Sequence, residues 1–392
     1  MNPAERERTA TRASSTHDKL VASALDLFAH EWYETVSVAE ICRHAGLSNG
    51  IFYRYFPDKQ TLFIELLEQY LSIISTQLEK LGGETIDERL EQFVDIVIDH
   101  IRRDRSLVSV YREGQYRFPE YERRLRRIYT AAAERVFGRE MSEAEYLYVV
   151  AGVRFCGIRH ILNGSPIDKR LLKRIILHGA FPRPGEGRKG PALTEELFVS
   201  DDAVKRLPPD EDNSRNRLIE SGIGLFGTKG FYNVNVYDIA REAGFSVGSF
   251  YLYFPTKEAF LSEIVRLIGR RTRRFITQNL SPERRRLEQE LQGIDLFLGY
   301  FRQHLEYYSI VREAEFVVND EARDYYDRFV AGYLDDLQEA EATTSRQKSV
   351  LANALLGISH YFGIEVFFAD TISDPRMTIL ELGRLMAEGI KG

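Results

Sequence analysis

The chain has 392 residues, 44% hydrophobic and 29% charged, with a formal net charge of −6. That is ordinary soluble globular composition, long enough for two or more domains with sizeable cores. No apolar run approaches the roughly 20 residues that cross a bilayer. The N-terminal MNPAERERTATRASSTHDK lacks the apolar core of a secretory signal, and two distant cysteines, Cys42 and Cys156, fit a reducing, cytoplasmic setting better than a disulfide.

Residues 1–14 read as a disordered arm carrying Arg6, Arg8 and Arg12. A helix is predicted from about Thr16 to Ala29, with Leu20, Ala24, Leu27 and Phe28 on its buried face. Next comes SVAEICRHAGLSNGIFYRYFPDK, Ser37 to Lys59. Ser37 and Glu40 form a capping box that starts a helix over 38–44. Gly46 ends it, because glycine takes positive φ without steric penalty. Ser48 caps a second helix, Asn49 to Phe56, which Pro57 stops. Two short helices on a glycine turn form the helix-turn-helix pattern, whose second helix enters the DNA major groove. A longer helix from about Asp58 to Leu81 leads away and ends at Gly82-Gly83. Helices follow over 87–103, 106–116, 119–137, 142–162 and 168–177, the last two separated by the turn Asn163-Gly164-Ser165-Pro166. The proline- and glycine-rich stretch 182–191 reads as a loop, and 192–206 has room for a short helix.

The pattern then returns 198 positions on as NVYDIAREAGFSVGSFYLYFPTK, Asn235 to Lys257, with 13 of 23 residues identical. The preceding helix repeats too, through Leu20/Leu218, Ser23/Ser221, Leu27/Leu225 and Phe28/Phe226. Later helices are predicted near 282–303, 305–317, 321–341, 345–369 and 374–391. Weaker echoes link Tyr111-Arg112-Glu113 with Val311-Arg312-Glu313, and AGVRFCGIRHIL with LGISHYFGIEVF. No stretch alternates like a strand. The expected fold is therefore all-α with two tandem units. Its expected division is an arm at 1–14, heads at 15–60 and 214–258, bodies at 61–181 and 259–392, and a linker at 182–213.

AGLSNGIFYRYFPDK and AGFSVGSFYLYFPTK resemble the DNA-binding head of the tetracycline-repressor (TetR) family, over about fifty residues in each half. The resemblance implies three-helix heads, each followed by a larger helical body that pairs and often holds a small-molecule pocket. It also implies that Tyr53, Tyr55 and Lys59, and their counterparts Tyr251, Tyr253 and Lys257, hold phosphate. Family members pair as symmetric dimers. Two units in one chain imply a monomeric pseudo-dimer, with 142–177 and 345–391 packing as a four-helix bundle. A homodimer of tandem chains is the second choice.

Base readout falls to residues near the start of the second helix. In the first head these are Asn49, Ile51 and Arg54, with Asn suited to adenine and Arg to guanine, while Ser48 caps the helix and Gly50 lets the backbone approach the duplex closely. Phe52 and Phe56 face the core. The second head has Ser246, Val247, Gly248, Ser249 and Leu252, so the expected operator DNA is not a perfect palindrome. The acidic net charge does not oppose this, since only the surface facing phosphate must be positive. Lys19, Arg54, Arg215 and Arg217 are candidates for that surface.

Trp32 stands where the second copy has Gly230 and the family a glycine, so that turn must strain or change shape. Phe93, Tyr111, Tyr116 and Phe155 in one body, and Phe297, Tyr300, Phe301, His304 and Tyr307 in the other, are candidates to line a site for an apolar or aromatic effector, though aromatics at helical spacing are usually core. No phosphate loop, nucleophile elbow or metal-binding pattern points to an enzyme, a metal or a cofactor. The expected function is a ligand-responsive, sequence-specific transcriptional repressor. The alternative is an architectural, weakly specific DNA binder.

Overall fold

The computed structural model describes residues 3–181, 193–200, 202–209, 211–337 and 342–390, without the side chains of 3–15 and 335–336. The chain divides into two compact units, 1–80 with 100–128, and 81–99 with 129–392. Every regular element among the described residues is helical.

The first half supplies α1 (Pro3–His30), α2 (Val38–His44), α3 (Asn49–Phe52), α4 (Lys59–Leu78), α5 (Ile86–Arg103), α6 (Arg105–Arg117), α7 (Pro119–Phe137), α8 (Glu143–Tyr146), α9 (Gly152–Asn163) and α10 (Lys169–His178). The second supplies α11 (Ser214–Lys229), α12 (Val236–Glu242), α13 (Val247–Tyr253), α14 (Lys257–Asn279), α15 (Arg286–Gln303), α16 (Leu305–Val317), α17 (Asn319–Asp336), α18 (Ser345–Ile364) and α19 (Pro375–Glu388). A single 3₁₀ turn, Glu195–Leu197, occupies the stretch where a short helix is expected. The expected loop, 182–191, lies outside the described residues.

Three predicted elements are corrected. The expected disordered arm is helical from Pro3, because AERERTATRA is rich in good helix formers and proline is tolerated at a helix start. The side chains of Arg6, Arg8 and Arg12 lie outside the described residues. The helices predicted over 142–162 and 345–369 each contain a π segment, Leu147–Ala151 and Glu365–Ala369. And Ser345–Ala369 is long and apolar enough to cross a membrane, contrary to the sequence reading, yet 83% of its most apolar window is buried inside the fold.

In the first unit α1 and α4 both pack on α6. Tyr70 stacks on Tyr111 at 3.9 Å, and a Cβ at Gly114 would sit 2.4 Å from Leu67, so glycine sets how closely α6 meets α4. In the second unit α14 and α11 meet through Gly222, where a Cβ would lie 2.3 Å from the Phe260 ring. A glycine inside a helix weakens it, and here packing requires one. The first head has Ala24 and Leu62 at those positions, a larger residue facing a smaller one.

The second unit also holds the contact that joins the two halves of the chain. There α9 packs along α18, and α10 packs against α19. The backbone pairing is reciprocal: Ala180 N–H donates to Met386 O at 2.7 Å, and Ile390 N–H donates to Ile176 O at 2.9 Å. Reciprocity of this kind marks a twofold, isologous interface. The glycines of the weak sequence echo lie on it. A Cβ at Gly152 would be 3.2 Å from the Ala354 carbonyl, and one at Gly357 would be 2.4 Å from Phe155 Cβ. Arg159, almost fully buried, ion-pairs with Asp327 across this contact and donates to Asn353 at 3.3 Å. The four terminal helices pair within one chain, as the tandem reading predicts.

Candidate nucleic-acid interface

The turn in each head forms as its sequence dictates. Ser37 and Glu40 close a capping box on α2, and Asn235 and Asp238 close one on α12. Gly46 and Gly244 follow these helices at φ 68° and 77°. Phe52 and Phe56, like Phe250 and Phe254, are buried, each removal from water contributing about 1.5–3 kcal/mol. Anchoring those rings turns the intervening residues outward. Ser48, Asn49, Gly50, Tyr53 and Arg54 are exposed and Tyr55 is half-buried. In the second head Ser246, Gly248, Tyr251, Leu252 and Tyr253 are exposed, with Val247 and Ser249 half-buried.

The helices that follow the turns differ. α13 runs from Val247 to Tyr253, and Ser246 caps it by accepting the Ser249 N–H at 3.1 Å, the two hydroxyls lying 3.0 Å apart. In the first head Ile51 replaces Ser249, Ser48 makes no side-chain cap, and α3 ends at Phe52 rather than at the predicted Phe56. Tight turns carry the chain onward, Arg54 and Tyr55 N–H donating to Ile51 and Phe52 O.

Gly50 and Gly248 sit in helical backbone. A Cβ at Gly50 would meet nothing within 4 Å, and one at Gly248 only the Ser246 hydroxyl at 3.6 Å. Nothing inside the protein requires glycine at either place.

The lysines have a role inside the head that their sequence context does not show. Lys59 Nζ donates to Tyr33 O at 2.6 Å and to Val36 O at 2.7 Å, and lies 4.1 Å from the Tyr33 ring centroid. Lys257 repeats this on Phe231 O, Val234 O and the Phe231 ring. Both are half-buried, and burial lowers both ammonium pKa values. These side chains tie down the loop between the first two helices of each head. Two of the three N–H donors of each ammonium are taken up by these carbonyls. Likewise Arg217 donates to Ala243 O at 3.2 Å and Arg215 pairs with Glu263 at 3.0 Å, while Lys19 and Arg54 are exposed.

A glutamate on the body holds the same loop from the other side. Glu113 accepts from Tyr33 N–H at 3.0 Å, and Glu313 from Phe231 N–H at 2.8 Å. This is the physical content of the echo between Tyr111-Arg112-Glu113 and Val311-Arg312-Glu313. Burial raises the Glu113 carboxyl to about 7, outweighing the opposing pull of Arg117 at 2.8 Å. At Trp32 the turn changes shape: its φ is not positive, and its indole lies 4.6 Å beneath the Arg117 guanidinium, whereas Gly230 takes φ 76°.

The aromatic candidates for an effector site separate. Phe93 and Tyr111 are core, Phe155 packs on Tyr326 and His360 where α9 meets α18, and Tyr116 lies beside Trp32 at 6.3 Å. Phe301 is also fully buried, against Phe297 and Tyr308. Tyr300, His304 and Tyr307 line an open groove of about 790 Å³ bounded by 206–209, 211–212 and the second head. Only Phe297 reaches a second cavity, of about 190 Å³, among α14, α15, α17 and α18. Its polar residues include Arg273, Arg286 and Glu290, which belong to no motif of the sequence.

The model of bacterial regulatory proteins of the tetR family matches residues 20–66 and 218–264, the same segment of each copy. The uncharacterized HTH-type transcriptional regulator YdgC of Bacillus subtilis is 28% identical over 182 residues, 45% of this chain and 92% of that protein. The HTH-type transcriptional regulator BetI of Escherichia coli is 23% identical over 174 residues, 41% of this chain and 89% of that protein. A putative TetR-family regulator from Syntrophomonas wolfei, of known structure, has 18% identity and a TM-score of 0.40, over 44% of this chain and 94% of that one.

Proposed function

This chain is a DNA-binding transcriptional regulator of the tetracycline-repressor family with two tandem units, and from that premise we propose that it is a cytoplasmic, effector-responsive repressor that binds as a monomer of about 45 kDa. The heads at 15–60 and 214–258 read two unlike half-sites of one double-stranded operator, about one helical turn apart. The bodies at 61–181 and 259–392 pair within the chain and hold the effector.

The observation that carries this reading is the pair of exposed surfaces after the two turns. Asn49, Ile51 and Arg54 in one head become Val247, Ser249 and Leu252 in the other, while Ser48/Ser246, Gly50/Gly248, Tyr53/Tyr251 and Tyr55/Tyr253 persist. Shared residues suit the uniform phosphate backbone, and divergent ones suit base edges. Arg54 offers guanine two donors, whereas Val247 and Leu252 offer apolar contact such as a thymine methyl accepts. The internal pairing of α9 with α18 and α10 with α19 supports one chain as the binding unit.

Footprinting on DNA selected from a random pool tests this. A discrete footprint that survives excess competitor, formed by a species of monomer mass, is expected. A footprint that disperses with competitor would instead favour an architectural binder.

A further inference from the structure

The cavity among α14, α15, α17 and α18 is apolar on most of its wall, through Ile276, Leu280, Phe297, Phe329 and Leu356. Its charges do not balance. Arg286 pairs with Glu290 at 2.8 Å, and Glu290 also accepts from the Tyr333 hydroxyl at 2.9 Å. Arg328 Nε donates to Asp324 at 2.6 Å. Arg273 makes no ion pair among the described residues. Its guanidinium lies 5.4 Å from the Phe329 ring centroid, and its Nη1 is buried without a hydrogen-bond partner. A buried donor left unmatched is unfavourable, and more so on a charged group.

We propose that this cavity takes a linear apolar ligand ending in a single anionic group, with the tail against Phe297 and Leu356 and the anion on Arg273. Such an anion pairs a cation of the cavity wall that has no carboxylate partner of its own, and neutralises a charge that burial and the neighbouring Arg328 work against. A neutral or cationic head leaves Arg273 as it stands. The position equivalent to Arg273 in the first half is Ser75, so this chemistry belongs to the second body. The inference deepens the effector reading above and rests on it for any consequence at DNA.

Calorimetry on the full chain tests it, with decanoate, decyl phosphate, decanol and decylamine as probes. Decanoate or decyl phosphate should bind at least about tenfold more tightly than decanol, and decylamine most weakly. Which of the two anions leads tells a carboxylate source from a phosphate one. Arg273→Met should remove the preference for an anion, and Arg273→Lys should keep part of it. Gly332→Leu, where an added Cβ meets no atom within 4 Å, should fill the cavity in a folded chain and block every probe. Equal binding of decanol and the anions, an anion preference that survives Arg273→Met, or unchanged binding in Gly332→Leu would overturn the proposal. Binding of the unliganded chain to selected DNA is measured separately, so failure of the ligand site and failure of the regulator reading are distinguishable.

Discussion

In the first head the helix after the turn stops at Phe52, lacks a side-chain cap and exposes Asn49 and Arg54. In the second it runs to Tyr253, is capped by Ser246 and leaves Leu252 83% exposed. Around these differences the framework is unchanged: the same buried phenylalanines, the same positive-φ glycines, the same lysine on two carbonyls and the same glutamate on a loop N–H. The bodies vary more freely. Glu68 on α4 meets Arg124 at 2.7 Å, whereas on α14 Arg266 meets Glu321 at 2.5 Å, a bridge with its charges reversed. Positions that hold the head together tolerate little change, and positions that face outward are free to diverge.

The framework side of that comparison breaks most visibly at the lysines. Lys59→Met and Lys257→Met should each lower stability by about 2 kcal/mol, by similar amounts, since each removes two charge-assisted hydrogen bonds from buried carbonyls. Denaturant titration of both variants measures this. Unchanged stability with weakened DNA binding would return the lysines to the phosphate role first expected of them.

On the outward side, Arg54→Ala should lose about 1–3 kcal/mol of binding and relax specificity at one base pair of one half-site, while Leu252→Ala should change affinity far less. Competition binding against single-base operator variants would report both. At the caps, Ser246→Ala should destabilise by about 1 kcal/mol and Ser48→Ala by only a few tenths, because only Ser246 closes a bond. Equal losses, read as shifts in thermal midpoint, would refute the contrast drawn between α3 and α13.

A smaller effect of opposite sign is expected at the glycines. Gly50→Ala should stabilise the free protein by about 0.5–1 kcal/mol, since alanine favours helix and meets no neighbour. The same change should weaken DNA binding if close backbone approach to the duplex is what the glycine serves. Stabilisation without weaker binding would leave that glycine without a role.

Much of this was legible in the residues. Capping pairs, turn glycines and the 198-residue offset fixed most helix starts to within a residue or two, because each signal is local. What escaped depends on distant atoms. The direction of the Lys59 side chain is decided by the Tyr33 and Val36 carbonyls, which no local pattern names. The early end of α3 and the open Ser48 cap are not visible in a pattern that places Ser48 and Ser246 alike. Gly222 weakens its helix by local rules, and only the Phe260 ring against it explains its place. The aromatic residues could not be sorted into core, interface and cavity, because helical spacing gives a face but not its neighbour.

Selection of operators from random DNA tests the account most directly, run on the natural chain and on a variant carrying Val247→Asn, Ser249→Ile and Leu252→Arg. The account predicts two unlike half-sites for the natural chain and a palindrome for the variant, whose outward residues then match the first head. A palindrome selected by the natural chain would contradict it.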